Sequence, residues 1–240
     1  MAYSEIIKVK DYQLGADGTL KDSMMMKLMQ HAARYDMTQA GCPYEYLVSK
    51  NMCFVLVRVA LENYHRAVYD DEIRLDTWAD TISGAMFVRR YNAWRGDQLI
   101  MSAVTLWCLM DLTARRILRP SACGVEFVEH REFSNDLSIP KRVVSPENNT
   151  LVGTYDVRYS DLDSNGHLNN TVYLDIIYNC IPDPFKQHLK FFKIDYSGEA
   201  RLGEKLNIYF VESENNVCYM RSVRSSDDHE CFTAKLELDV

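Results

Sequence analysis

The chain has 240 residues, 47% apolar and 25% charged, a balance that supports a buried core and excludes a disordered polymer. Its 34 acidic residues against 27 Lys and Arg leave a net charge of −7, which argues against a surface built to hold nucleic acid phosphate. No stretch reaches the roughly 18 apolar residues that a membrane helix needs, so the expectation is a soluble, cytoplasmic protein with no membrane association.

Met1 to Lys10 lacks the basic, apolar and small-residue succession of a signal peptide and the Arg/Ser-rich composition of a transit peptide, so folded structure is expected almost at once. Lys21 to Ala40 carries Leu20, Met24, Leu28, Ala32 and Tyr35 at helical spacing, with Met25, Met26 and Met29 widening the apolar sector. The spacing predicts a mostly buried helix. Runs rich in Val, Ile, Thr and aromatic residues follow at Met52 to Tyr64, Glu72 to Ile82, Met86 to Trp94 and Leu99 to Leu112. Ser83-Gly84 and Gly96-Asp97 are expected to turn the last three into antiparallel hairpins.

Prolines then mark a break. None lies between Tyr44 and Arg119, whereas Pro120, Pro140 and Pro146 fall close together. Val125, Phe127 and Val128 are expected to form a short docked element within this linker, and Pro146 to Asn149 has loop composition. The boundary is placed near residue 148, giving an N-terminal domain with its linker over 1–148 and a C-terminal domain over 149–240.

The second block repeats the order of the first. An extended piece over Thr154 to Tyr159 precedes a helix from about Asn170 to Cys180, then strands His188 to Glu199, Lys205 to Glu212, Val217 to Ser225 and Cys231 to Leu238. Gly18 and Leu20 recur as Gly166 and Leu168, and a second alignment sets Leu61 with Ile194, Ala67 with Ala200, Ile73 with Leu206, Leu75 with Ile208 and Leu99 with Phe232. A helix followed by a twisted antiparallel sheet is buried when the sheet wraps around it. This predicts an α+β chain in which a hotdog fold occurs twice.

Cysteine chemistry is not indicated. Seven cysteines, an odd number with no C-x-x-C pair, suggest thiols behaving as small hydrophobes in a reducing compartment. Nothing resembles a phosphate-cradling Gly-rich loop or a metal-ligand cluster, so no nucleotide or metal cofactor is expected.

The polar run Asp161-Leu162-Asp163-Ser164-Asn165-Gly166-His167-Leu168-Asn169-Asn170 leads into the second helix. In an extended segment Asp163, Asn165 and His167 alternate onto one side, gathering a carboxylate, an amide and an imidazole at a helix N-terminus. Such a site can move a proton, orient a water or acyl group, and polarise a carbonyl with first-turn amides. The structural alternative is that Asp and Asn build the turn, Asn169 or Asn170 caps the helix, and His167 is incidental. Against it, Gly15, Asp17 and Thr19 occupy the equivalent first-half places, so capping alone does not require the series. Glu199 ends an apolar-alternating strand, where a lone Glu is usually a solvated charge, and its first-half counterpart is Arg66.

Asp163-Ser164-Asn165-Gly166-His167-Leu168-Asn169-Asn170-Thr171-Val172-Tyr173 is similar to the D-x-N-x-H-x-N-N-x-x-Y motif of the acyl-acyl carrier protein thioesterases, and Tyr196-Ser197-Gly198-Glu199-Ala200 resembles the later segment that carries their functional glutamate. The resemblance spans nearly the whole chain and is to the bacterial branch. It implies a tandem hotdog, an N-terminal half that selects the acyl chain, and hydrolysis of the thioester between a fatty acyl group and the phosphopantetheine of acyl carrier protein. It also implies a catalytic set of Asp163, Asn165, His167 and Glu199. Plant members often have a cysteine after the glutamate where this chain has Ala200, so a thiol is not expected to act: Glu199 is expected as general base on water, with direct nucleophilic attack by its carboxylate as the alternative.

Two further expectations concern binding. Met24, Met25, Met26 and Met29 either fill the core or line an acyl tunnel. Arg89, Arg90 and Arg95, or Arg115, Arg116 and Arg119, are candidate docking faces for an acidic carrier protein. Unpaired sheet edges leave room for a homodimer. The competing readings are an acyl-coenzyme A thioesterase, a hotdog dehydratase, and a noncatalytic acyl-thioester binding module.

Overall fold

The β-branched and aromatic runs form strands that assemble into antiparallel sheets. In the computed structural model, which describes residues 2–125 and 134–239, the chain divides into two units, Met1–Pro140 and Lys141–Val240. The division falls ahead of the Pro146 to Asn149 loop on which the sequence boundary near residue 148 rests. Each unit is α+β, with few helices among the described residues and wholly antiparallel strand pairing.

In the first unit β1 (Tyr3–Lys8), β2 (Met52–Asn63), β3 (Glu72–Ser83), β4 (Met86–Arg95) and β5 (Gln98–Asp111) form a sheet in the order β1-β3-β4-β5-β2, with the two-residue β6 (Ile117–Leu118) on β5. Helix α1 (Asp22–Gln39) packs against β1 and β3, and α2 (Tyr44–Ser49) against β2. The buried face of α1 is centred on Met25, Met26, Met29, Ala32 and Ala33. Tyr35, expected on that face, is 49% exposed and stacks on Tyr3. The β3–β4 turn holds Gly84 and Ala85, one residue later than expected, because Ser83 still pairs with Met86.

Ile100 to Leu106 on β5 are continuously buried, the pattern of a strand covered on both faces. Segment 134–140 supplies part of that cover. Leu137 and Ile139 pack on Val88, Val104 and Leu106, while Asn135 donates to the carbonyls of Tyr91 and Ala103 at 3.1 Å. Val125 packs against a cluster of Cys42, Leu47, Phe87, Leu109 and Cys123. Phe127 and Val128 lie outside the described residues.

In the second unit β7 (Thr150–Asp156), β8 (His188–Tyr196), β9 (Lys205–Glu212), β10 (Val217–Arg224) and β11 (Glu230–Asp239) order as β8-β11-β10-β9-β7. Helix α3 (Val172–Cys180) buries Tyr173, Leu174, Ile176 and Ile177, and the Tyr173 ring meets Phe232 and Tyr196.

Hydrogen bonding in the two units follows one plan. Val9 donates to Asp71 O and accepts from Asp70 N, as Val157 donates to Glu204 O and accepts from Gly203 N. Leu61 pairs with Ala103 as Ile194 pairs with Ala234, so those equivalences hold. The alignment of Leu99 with Phe232 does not. Met101 stands opposite Asn63 where Phe232 stands opposite Tyr196, because the hairpins differ in length; the slip is even, so the sheet face is unchanged.

Candidate active site

The polar run between β7 and α3 is a closed turn rather than the extended segment expected. Asp163 N donates to His167 O at 2.8 Å and Gly166 N to Asp163 O at 3.0 Å, with Gly166 at φ 76°, a conformation that glycine adopts without strain. The Asp163 carboxylate organises the turn. Its Oδ1 accepts from Asn165 N at 2.8 Å and His167 N at 3.2 Å, and its Oδ2 from Asn165 Nδ2 at 3.3 Å.

After the turn the chain runs beside the end of the strand region. Leu168 N donates to Ala200 O at 2.8 Å, and His167 forms a bridge with Arg201. That crossing brings His167 Nε2 to 3.2 Å from Glu199 Oε2, with side chains 20% and 33% exposed. The Arg201 guanidinium approaches the same carboxylate oxygen at 3.9 Å. All four expected residues therefore lie on this turn and strand end, joined as Asp163 with Asn165 and His167 with Glu199.

Helix α3 offers fewer open donors than expected. Asn169 Oδ1 accepts from Thr171 N at 3.0 Å and Thr171 Oγ1 at 2.9 Å, Asn169 O accepts from Val172 N, and Thr171 O from Leu174 N. The helix N-cap is Thr171 rather than the expected Asn169 or Asn170, and Asn169 holds that residue in place from the turn before it.

The first unit builds the same turn without the series. Gly15 N donates to Thr19 O at 2.8 Å, Asp17 accepts from Thr19 N and Oγ1, and Leu20 N donates to Ala67 O. A carboxylate at the Asp163 place and a histidine at the His167 place are therefore not demanded by turn geometry.

Glu199 is held from behind. Ser197 N donates to Cys231 O at 2.9 Å, and a Cβ on Gly198 would collide with the His229 ring and stand 2.9 Å from Glu230 O. Arg224, a residue missed in the sequence, donates from Nη1 to Glu199 O at 2.9 Å. The signal for it was the arginine that ends the corresponding first-unit strand, Arg95.

Cys231 lies under the site, fully buried, and burial pushes its thiol up to about 11, which leaves it protonated near neutral pH. Among the described residues no group of three or more His, Cys, Asp or Glu is placed to hold a metal ion, and no helix is long and apolar enough to cross a membrane.

The arginine docking sets separate. Arg89 is buried and pairs with Asp36 at 2.7 Å; Arg90 binds Asp80, Asn135 Oδ1 and Leu137 O, each at 2.6 Å; Arg95 binds Asp71 at 2.9 Å. Arg89 and Arg90 are committed to internal contacts, whereas the Arg95 side chain is 35% exposed. Arg115, Arg116 and Arg119 are exposed.

Residues 1–122 match the family model of the acyl-ACP thioesterase N-terminal domain, and residues 144–238 that of the C-terminal domain. The chain is 23% identical over 235 residues to a chloroplastic palmitoyl-acyl carrier protein thioesterase of Gossypium hirsutum, covering 90% of this chain and 56% of that one. It is 23% identical over 225 residues to a chloroplastic oleoyl-acyl carrier protein thioesterase of Coriandrum sativum, covering 84% and 60%. It thus spans little more than half the length of these plant relatives. Among solved structures, an acyl-ACP thioesterase from Bacteroides thetaiotaomicron superimposes with a TM-score of 0.90 at 18% identity, covering 99% of this chain and 98% of that one. The 12:0-ACP thioesterase from Umbellularia californica superimposes with a TM-score of 0.85 at 16% identity, covering 99% and 97%. At these identities the structures share a fold, and the family models over both units carry the assignment: the chain belongs to the acyl-ACP thioesterase family.

Proposed function

We propose that this chain hydrolyses fatty acyl-acyl carrier protein thioesters, consuming water and releasing free fatty acid and the carrier protein's phosphopantetheine thiol. The observation that carries the reading is the 3.2 Å pair of His167 Nε2 on the turn and Glu199 Oε2 at the strand end beside it, places that the first unit fills with Thr19 and Arg66.

In this mechanism Glu199, a third exposed and so open to water, accepts a proton from a water molecule as that water attacks the thioester carbonyl. The new C–O bond forms as the carbonyl electrons move to oxygen. Collapse of the tetrahedral intermediate breaks the C–S bond, and the proton held by Glu199 passes to the departing sulfur. His167 orients the Glu199 carboxylate and the water, Asn165 aligns the acyl group, and Asp163 holds both by fixing the turn. Hydrolysis in this form uses no metal or nucleotide.

Each unit is read as one hotdog, giving a tandem fold with the catalytic motif in the C-terminal domain and acyl-chain selection in the N-terminal domain. The opening beside Leu20, Met25, Ile100 and Met101 has a volume of about 10 Å³ and is also lined by the Asp22–Arg66 pair, so in this reading an acyl chain enters only as the flexible Met25 and Met101 side chains move aside. Exposed Arg115, Arg116 and Arg119 are the docking face for the acidic carrier. The seven cysteine thiols suit the cytoplasm, and strand edges such as β1 and β7 are available to a homodimer.

Thiol release from matched acyl-carrier protein and acyl-coenzyme A series tests the reading. Release from the carrier series is expected. Release from coenzyme A alone moves the chain to that substrate class, and stable acyl binding without turnover makes it a binding module.

A further inference from the structure

The Arg224 side chain is 19% exposed and makes more contacts than a solvated strand-end arginine needs. Its Nη1 donates to Glu199 O at 2.9 Å and lies 3.7 Å from Glu204 Oε1. On its other edge Nε and Nη2 grip the two oxygens of Asp227 at 2.9 and 2.6 Å, a bidentate fork that fixes the guanidinium plane. The turn after β10 completes the support: Asp227 Oδ1 accepts from His229 N, Arg224 N donates to His229 O, and the His229 ring lies against Gly198.

The first unit has a weaker form of this device. Arg95, ending β4 as Arg224 ends β10, binds Asp71 at 2.9 Å and approaches Arg66 O at 3.4 Å. Asp71 and Glu204 are equivalent, since they supply the carbonyls that accept from Val9 and Val157. At the station equivalent to Glu199, however, Arg66 turns its side chain to Asp22 at 3.0 Å. Three residues on, where Asp227 stands relative to Arg224, Arg95 Nη2 donates to Gln98 Oε1 at 3.0 Å, a single neutral contact in place of the two-pronged carboxylate fork. The fork thus belongs to the unit whose strand end bears a carboxylate beside a histidine.

We propose that Arg224 is a positioning residue for Glu199: clamped by Asp227, it holds the Glu199 main-chain carbonyl so that the carboxylate stays at His167. The inference rests on the reading of Glu199 as the base. A base displaced by an ångström loses on the order of 10²-fold in rate, while substrate binding through other contacts is untouched.

Steady-state kinetics on an acyl-carrier protein substrate test this with Arg224→Gln, Arg224→Lys, Glu199→Ala and the double variant Glu199→Ala/Arg224→Gln. Arg224→Gln should lower kcat about 10- to 100-fold with KM within about twofold, Arg224→Lys should recover part of it through one retained donor, and the double variant should be no slower than Glu199→Ala alone. Wild-type kcat in Arg224→Gln, or losses that multiply in the double variant, would overturn the inference and leave the hydrolase reading standing. If Arg224→Gln does not fold, Asp227→Asn, altered at a half-exposed carboxylate, should show the same kcat-specific and non-additive loss at smaller size, and full additivity with Glu199→Ala would overturn the proposal. A wild-type chain inactive on carrier-protein and coenzyme A thioesters alike would overturn the hydrolase reading and this inference with it.

Discussion

Arg66 and Glu199 hold the same station in the two units: each directly precedes the alanine, Ala67 or Ala200, whose carbonyl accepts the main-chain N–H of the leucine after the turn at 2.8 Å. One unit fills that station with a guanidinium locked on Asp22, the other with a carboxylate facing His167. A duplicated frame therefore carries opposite charges at its key position, and only the second arrangement offers a proton acceptor to water.

The Arg66–Asp22 pair is structural on this account. Asp22 is 2% exposed and accepts from Arg66 Nη1 at 3.0 and 3.1 Å and from Asn63 Nδ2 at 2.9 Å. Asp22→Ala removes the buried carboxylate from a guanidinium that is 20% exposed and should cost about 1.5–3 kcal/mol in urea unfolding, whereas Asp22→Leu with Arg66→Met should be close to neutral. Equal losses in the single and double variants would show that the pair does not act as a unit.

Much of this frame was legible in the sequence and some of it was not. Helix α1 was found to within a residue at each end because its apolar stripe is long, and the hairpins because Gly-containing turns interrupt alternating runs. Strand β1 escaped notice: Tyr3–Lys8 is short, and its alternation of half-buried and exposed residues resembles an ordinary polar terminus. Helix α2 has only six residues, too few to establish a period. At the site, the type and order of Asp163, Asn165 and His167 were visible, but their shape was not. An extended strand and an Asp-closed turn both suit that sequence, and the meeting of His167 with Glu199 depends on a bridge to Arg201 that local pattern does not encode. Arginines were the hardest to place, since burial of Arg89 against Asp36 and the strap contacts of Arg90 arise from tertiary pairing alone.

Gly198 is the tightest point behind Glu199. Gly198→Ala must displace the His229 ring or the strand end, so melting temperature and kcat should both fall; adding His229→Ala should restore part of each, because the Glu230 carbonyl remains close. Unchanged kinetics in Gly198→Ala would mean that this packing does not set the position of Glu199.

The Arg224 fork should persist into acid. The guanidinium holds the Asp227 carboxyl down at about 2, below its ordinary 3.8. A carboxyl depressed on folding contributes stability fully above its unfolded value and loses it as pH falls through the folded one. The difference in melting temperature between wild type and Asp227→Asn should thus be constant from pH 7 to about 5 and shrink between about 4 and 2. A difference independent of pH over that range would contradict the ion pair.

The acyl-selection reading predicts that Met25→Trp, at the small opening Met25 shares with Leu20, Met101 and the Asp22–Arg66 pair, shortens the preferred acyl chain in a chain-length profile of kcat/KM. Overpacking a site only 5% exposed should also cost about 1–3 kcal/mol of stability. A destabilised variant with the wild-type chain-length profile would assign Met25 to the core alone.

The most direct test of the His167–Glu199 site is single-turnover hydrolysis of an acyl-carrier protein thioester by wild type and Glu199→Ala, with substrate affinity measured in parallel. The account predicts a loss of about 10²–10⁴-fold in the hydrolytic step at unchanged affinity. Near-wild-type turnover in a folded, substrate-binding Glu199→Ala would contradict it.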